Sequence, residues 1–228
     1  MLLRPSRVRF HLSANTVELP FDYQFALLNR IESWLSSGSA DTPLSEYAGL
    51  YCFSWLRGTY ETSPTGISFP QGAEFTFSTI LPELLARILE QLGSDYEFKY
   101  GMEIVDVFSV PLREFTEEQR FKLDSPALVR IWEGEEQRTI VYNDPRAETQ
   151  LTRDMQDKLA VAGLSGDVNI RFDTKYPRPK FKTVRLRGEK YVCSFCPVIV
   201  DTSSVEVMNF VWAVGVGEQT ESGFGCLY

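Results

Sequence analysis

Hydrophobic and polar positions alternate cleanly at the start of the chain. In "RVRFHLSA", Val8, Phe10 and Leu12 share one face and Arg7, Arg9 and His11 the other. That is the pattern of a half-buried strand with a basic outer face. The period then changes. In "FDYQFALLNRIESWLSSG", Leu27, Leu28, Ile31, Trp34 and Leu35 recur at helical spacing, and Gly38 supplies a stop. "GLYCFSWLRGTY" returns to strand composition, "SPTG" at 63–66 is turn chemistry, and "AEFTFSTI" reads as the returning strand. "LPELLARILEQLG" predicts a second helix, with Pro82 near its first turn and Gly93 past its end. "YEFKYGMEIVDVFSV" is strand again. The order β-α-β-β-α-β is that of a ferredoxin-like unit.

The same order recurs more loosely downstream, without sequence self-similarity. "ALVRIWEG" and "QRTIVYN" predict strands joined by a short acidic turn. "DPRAETQLTRDMQDKLAVAG" predicts a helix with Asp144 as N-cap and Pro145 at its first position. "DVNIRF", "FKTVRLRG" and "KYVCSFCPVIV" read as strands, "TSSVEVMNFVWAVG" as a short helix and "GFGCLY" as a final strand. Apolar periodicity lapses in "SVPLREFTEEQR". The expected fold is therefore α+β: two tandem ferredoxin-like halves, residues 1–115 and 116–228, with a C-terminal glycine-rich loop.

Charge changes the picture. The 228-residue chain carries a net charge of −8, which argues against a generic nucleic-acid binder. Residues 171–190, "RFDTKYPRPKFKTVRLRGEK", hold eight Lys or Arg against two acids, a local balance of +6 that leaves −14 for the rest. A basic island in an acidic chain focuses an anionic partner on one place; a solvated hairpin with snorkelling side chains is the competing account. Within the island Lys180 and Lys182 sit on even positions and Arg185 and Arg187 on odd ones, so a bulge or element boundary is expected near Thr183-Val184. "YPRPK" before it is extended.

No apolar run approaches the ~20 residues needed to cross a bilayer, and "MLLRPSRVRFHL" is too charged for a secretory signal. The expected location is cytoplasmic. Cys193 and Cys196 form a lone C-x-x-C, with no second pair or histidine partner. In a strand such positions point to opposite faces, so these residues, Cys52 and Cys226 read as buried free thiols, and no metal or other cofactor is expected.

The tail "AVGVGEQTESGFGCLY" places Gly215, Gly217, Gly223 and Gly225, with Thr220 and Ser222 between them, directly after an apolar helix. A dinucleotide fingerprint fails, because no glycine stands at 220 and no helix follows; a P-loop fails for want of Gly-Lys-Ser/Thr. A plain turn remains, and so does a glycine loop whose bare N–H groups cradle the phosphates of a polymer.

"VGVGEQTESGFGCLY" resembles the C-terminal glycine-rich signature of the RAMP superfamily of CRISPR systems, and most closely its sixth Cas family, the endoribonucleases that cut repeat transcripts. "RVRFHL", "LPFDYQFALLNRIESWL", "LYCFSWLRG" and "DSPALVRIWE" sit where that family has similar segments. The resemblance thus covers nearly the whole chain. It implies two ferredoxin-like halves and CRISPR repeat RNA as partner. It also implies metal-independent cleavage in which a ribose 2′-hydroxyl attacks the neighbouring phosphate and leaves a 2′,3′-cyclic phosphate. Other CRISPR effector subunits are compatible partners, no membrane is involved, and the state is monomer or homodimer.

Many members supply an acid or base from a histidine between the first helix and the strand like "LYCFSWLRG". Here the only histidine is His11, in the first strand, and the corresponding position is Ser45. Serine is no general base near neutral pH. The resemblance leaves Tyr23, Arg30 and Tyr47, with Ser45, as candidates to organise the phosphate. Tyr23 and Arg30 are seven apart, two turns along one helical face. Each also has a structural account: a buried anchor for Tyr23, a surface charge for Arg30, a loop aromatic for Tyr47. Lys180, Lys182, Arg185, Arg187, Gly215, Gly217, Thr220, Ser222, Gly223 and Gly225 are the candidate RNA contacts. The alternative function is a catalytically inactive repeat-RNA-binding subunit of an effector complex.

Overall fold

The computed structural model describes residues 4–36, 43–93 and 95–228. The chain runs from β1 (Ser6–Leu12) through α1 (Gln24–Ser36) and a 3₁₀ turn (Leu44–Tyr47) to β2 (Tyr51–Phe53). A small hairpin, β3 (Glu61–Thr62) and β4 (Ile67–Ser68), precedes β5 (Ala73–Thr79), α2 (Pro82–Leu92) and β6 (Ile104–Ser109). β7 (Glu118–Phe121) then leads to the hairpin β8 (Val129–Glu133) and β9 (Glu136–Ile140), and to α3 (Ala147–Val161). β10 (Asn169–Phe172), the long hairpin β11 (Lys180–Leu186) and β12 (Glu189–Phe195), β13 (Val198–Asp201), α4 (Val205–Val214) and a second 3₁₀ turn (Thr220–Ser222) complete it. Gly38, the expected stop of α1, lies outside the described residues.

The first sheet has the order β2-β5-β1-β6, every pair antiparallel. This is the ferredoxin-like arrangement. The second sheet has the order β10-β13-β7. Residues 226–228 extend it beside 122–124, through Asp124 N–H to the Cys226 carbonyl (2.8 Å) and Tyr228 N–H to that of Lys122 (2.9 Å). The second unit therefore repeats the first, with hairpins added. The helices form as their apolar spacing dictates. α1 buries Leu27, Leu28, Ile31, Trp34 and Leu35, α2 buries Leu84, Ile88 and Leu92, and α3 buries Ala147, Leu151, Met155 and Leu159.

Several expectations are corrected. β7 begins at the end of "SVPLREFTEEQR", where its first three residues, Glu118, Gln119 and Arg120, are polar and hide its strand character. "KYVCSFCPVIV" is not one strand; it breaks at Cys196-Pro197, because proline cannot donate to a ladder, and its arms join different sheets. "GFGCLY" forms a single bridge, Leu227 to Leu123, rather than a full strand. α3 starts at Ala147, so Asp144 is not its N-cap and Pro145 precedes it; the Asp144 carboxylate instead accepts from the Arg146 N–H (2.9 Å). No bulge interrupts β11, whose pairing with β12 runs unbroken from Lys180–Phe195 to Leu186–Glu189. Without a bulge, Arg185 lies on the face of β11 opposite Lys180 and Lys182, and Arg187 lies beyond the strand, in the turn with Gly188, at φ 50°.

The largest correction concerns the face of β1 assigned to solvent. Arg7 is 6% exposed. Its guanidinium donates to the carbonyls of Trp212 (2.6 Å) and Leu227 (2.8 Å) and to Ser78 Oγ (3.2 Å), and stacks 4.0 Å above the Trp212 ring. Ser54, Thr76 and Ser78 are buried around it. The Arg7 end of this polar face is thus covered by the second unit, while Arg9 and His11 further along it stay partly exposed. The four cysteines are free and buried as expected, and burial pushes the Cys193 and Cys196 thiols up to about 12 and about 11.

Candidate nucleic-acid interface

The glycine loop, residues 215–225, joins α4 to the last segment. Gly215, Gly217, Gly223 and Gly225 all have positive φ, and all four are buried with Thr220, while Ser222 is partly exposed. Their steric demand comes from the chain itself. A Cβ on Gly225 would lie 1.8 Å from the Val216 carbonyl oxygen, and one on Gly223 2.5 Å from the Phe53 ring. The loop is a folded structural element whose two sides support two different clefts.

The first cleft, of about 550 Å³, runs between the units. Trp55, Tyr60 and Tyr176 line it with Arg57, Lys180 and Lys182. The Trp55 indole N–H donates to the Gly223 carbonyl at 3.0 Å, so the loop fixes this ring. Phe195 meets Trp55 edge-on at 5.7 Å, and Lys182 Nζ lies 5.9 Å from its ring centre. Arg57 is held by Asp124 (2.7 Å) and Glu74 (2.6 Å); burial pulls its pKa down, but the two carboxylates outweigh that and hold it above its ordinary value. Aromatic faces beside flexible ammonium groups suit a single-stranded polyanion.

The basic quartet divides. Lys180 and Lys182 enter this cleft. Arg185 lies opposite Lys190 across the hairpin, and Arg187 reaches back to pair with Glu32 on α1.

The second cleft, of about 760 Å³, lies on the other side of the glycine loop. Gly217–Gln219 and Glu221 form one wall, Arg130 and Trp132 of β8 another, and α3 the floor. Lys158 joins the parts. Its stem packs over Gly49, where an added Cβ would lie 3.3 Å from its Cγ, and its ammonium donates to the Gly215 carbonyl (3.4 Å) and Thr220 Oγ1 (3.3 Å). Desolvation lowers its pKa, opposed by Glu221. Glu221 in turn accepts the Gly49 N–H at 3.1 Å. Asp154 is pushed up to about 6, mainly by burial, and its Oδ2 accepts no hydrogen bond. Perturbed groups gathered in one cleft make it a candidate functional site.

The catalytic candidates do not converge. Tyr23 precedes α1, is buried, and lines the first cleft; burial pushes its hydroxyl well above the usual tyrosine value. Arg30 is engaged by Asp95 (2.7 Å) and the Glu97 carbonyl, with its guanidinium 4.9 Å from the Trp34 ring. Ser45 is exposed in the first 3₁₀ turn, and Tyr47, half-buried there, accepts a hydrogen bond from Arg87 at 3.2 Å. His11 faces Glu74 at 3.3 Å and the Phe108 ring at 4.8 Å. Arg87 and Lys158 were not singled out by sequence. The only available signal for Lys158 is its place beside the Leu151–Met155–Leu159 stripe.

Residues 110–228, just over half of the chain, match the family described as CRISPR associated protein Cas6, C-terminal. The chain belongs to the Cas6 family. Its fold is that of solved Cas6-type structures. A Cas6-related protein of Pyrococcus furiosus is 20% identical, with TM-score 0.86 over 99% of this chain and 98% of that one. A structure titled as a RAMP protein binding different RNA substrates is 21% identical, with TM-score 0.82 over 97% and 98%. A Cas6 product complex is 14% identical, with TM-score 0.64 over 98% and 99%. The search of curated sequences returns no significant match. Ser45, the residue expected at the family's histidine position, sits in an exposed turn joined through Gly49 to the glycine loop.

Proposed function

We propose that this Cas6-family chain binds CRISPR repeat RNA as a single strand in the cleft between its units and cleaves the precursor transcript. The observation that carries the binding is the first cleft: an aromatic platform fixed by the glycine loop and flanked by Lys180 and Lys182. The similar structures, of a RAMP protein binding different RNA substrates and of a Cas6 product complex, support the same reading.

In the cleavage step the ribose 2′-oxygen bonds to phosphorus as the bond to the 5′-oxygen breaks. The 2′-hydroxyl loses its proton and the leaving 5′-oxygen gains one, giving a 2′,3′-cyclic phosphate and a 5′-hydroxyl. The chain's own contribution is positioning and positive charge beside the Ser45–Tyr47 turn, with Arg87 holding Tyr47 and Lys158 joining Gly49 to the glycine loop. A positioned general acid or base is typically worth ~10²–10⁴-fold, so cleavage without histidine is slow and Ser45→His speeds it. One observation favours the binding-only alternative: Tyr23 and Arg30 are both committed to structural partners.

The test is incubation with repeat RNA in EDTA, with a 2′-deoxy substitution at the cut site as control. Cyclic-phosphate ends from the first and none from the second support cleavage; binding without cutting assigns the binding-only function. The Lys180→Ala/Lys182→Ala pair should reduce the log–log salt slope of binding by about 1.4, at roughly 0.7 per single-strand phosphate contact. An unchanged slope refutes the cleft assignment.

A further inference from the structure

The second cleft carries features of its own, and the inference drawn from them rests on the RNA-binding reading above. Trp132 is 69% exposed, whereas Trp34, Trp55 and Trp212 are 2%, 8% and 1% exposed. Leaving an indole in water forgoes a large burial gain. No aromatic ring or cation stacks on it among the described residues. β8 places it two residues from Arg130, on the face turned to the cleft. Arg130 is tied to Glu218 of the glycine loop and holds that wall in place.

On the floor, Gln150, Arg153, Asp154 and Asp157 lie at i, i+3, i+4 and i+7 of α3 and share one helical face. Arg146 is consumed by Asp144 and Glu133, but Arg153 has no ion pair among the described residues. The third wall carries Ala48 and Gly49, directly after the turn holding Ser45 and Tyr47. At about 760 Å³ the space suits a nucleotide-sized group. Its four cations, Arg130, Arg146, Arg153 and Lys158, are matched by Asp154, Asp157, Glu218 and Glu221. A near-neutral cleft with one bare indole holds a base by stacking and does not track a run of phosphates.

We propose that this cleft is a second RNA subsite, in which one nucleobase stacks on Trp132 and its phosphate pairs with Arg153. Stacking of this kind tolerates any base and, unlike a lysine–phosphate contact, releases no counterion, so the indole itself adds nothing to the salt slope.

The experiment uses the full chain carrying Trp55→Phe, so that Trp132 is the only tryptophan within reach of ligand. The probe is oligouridine RNA of roughly twelve nucleotides, within the range of single-strand site sizes. Added RNA should quench the fluorescence, and Trp55→Phe/Trp132→Phe should abolish the quenching. Trp132→Ala alone should weaken binding roughly 5- to 150-fold with the salt slope unchanged. Arg153→Ala should lower the slope by roughly 0.7. Wild-type affinity in Trp132→Ala, or an unquenched indole at saturating RNA, overturns the subsite while leaving the first cleft intact. So does Trp132→Ala changing only the oligomeric state, which would make the indole a protein contact. Failure of the wild type to bind any RNA overturns both this subsite and the function it rests on.

Discussion

Each unit must return from its second helix to its fourth strand, and the two do so in different ways. In the first unit the return from α2 begins at Gly93, which keeps ordinary helical dihedrals (φ −60°, ψ −19°). In the second, the return from α4 passes through buried glycines with positive φ. The first connection then packs against its own unit, through buried Phe98 and Met102 and through Gly101 at positive φ beside Thr16. The second is buried along its glycines, fixes Trp55 on one side and bounds the second cleft on the other. A shared topology therefore lets one copy brace its own unit, while its duplicate becomes the scaffold of the candidate functional surface.

The strongest way to break this contrast is to add a methyl group to each connection. Gly225→Ala should cost about 4 kcal/mol or more, since its Cβ meets backbone that cannot move aside at positive φ. Gly93→Ala should change stability by no more than about 1 kcal/mol. Urea unfolding midpoints of the two variants check this, and equal losses would mean that the connections are alike.

A second contrast lies along β1 itself. Arg7→Met leaves the Trp212 and Leu227 carbonyls without their donor and should cost about 2–4 kcal/mol, by the price of unsatisfied buried acceptors. Arg9→Met, whose nearest partner is Glu74 at 3.7 Å on a partly exposed surface, should cost no more than about 1 kcal/mol. Comparable losses would show that the outer face of β1 is uniformly wet.

The corresponding first helices, α1 and α3, differ in the sign of their pH dependence. The Asp154 carboxyl titrates near 6 in the folded chain, above its ordinary value of 3.8. Its contribution is therefore fully present below about pH 4 and is lost as pH rises through 6, up to about 3 kcal/mol. Asp154→Asn should remove that loss and stabilise the protein at pH 7–8. Asp95, paired with Arg30 of α1, is depressed instead, chiefly by that hydrogen bond. Its smaller contribution is lost as pH falls, and Asp95→Asn should flatten only the acid limb. Stability measured from pH 3 to 8 separates the two limbs.

Much of this architecture was legible. All four helices stand where apolar spacing put them, because a helical stripe is a local signal that burial merely completes. Strand limits were harder to read. β7 is mostly polar because the second unit's edge is partly wet, and the 226–228 segment pairs only where residues 122–124 reach it. The face of β1 was misassigned for a more general reason. Alternation shows which residues share a side, but not what covers that side, and Arg7 looks like Arg9 until α4 arrives. The candidate site was the least legible. Lys158 and Arg87 act through residues far away in sequence, and the basic island, one peak in a charge count, is divided between the two faces of β11 and the turn that follows it.

The buried Arg7 also sets a schedule for biosynthesis. Its Leu227 partner lies 220 positions further along the chain. At ribosomal speeds of roughly 5–20 residues per second, that is a wait of about 10–45 s. For that interval the guanidinium, Ser54, Thr76 and Ser78 face solvent on a nascent sheet that lacks its cover. A greasy surface there would invite chaperones or neighbouring nascent chains. The hydroxyls and the cation keep it water-compatible until Trp212 and Leu227 have been made, and so let the first unit mature before the second closes over it.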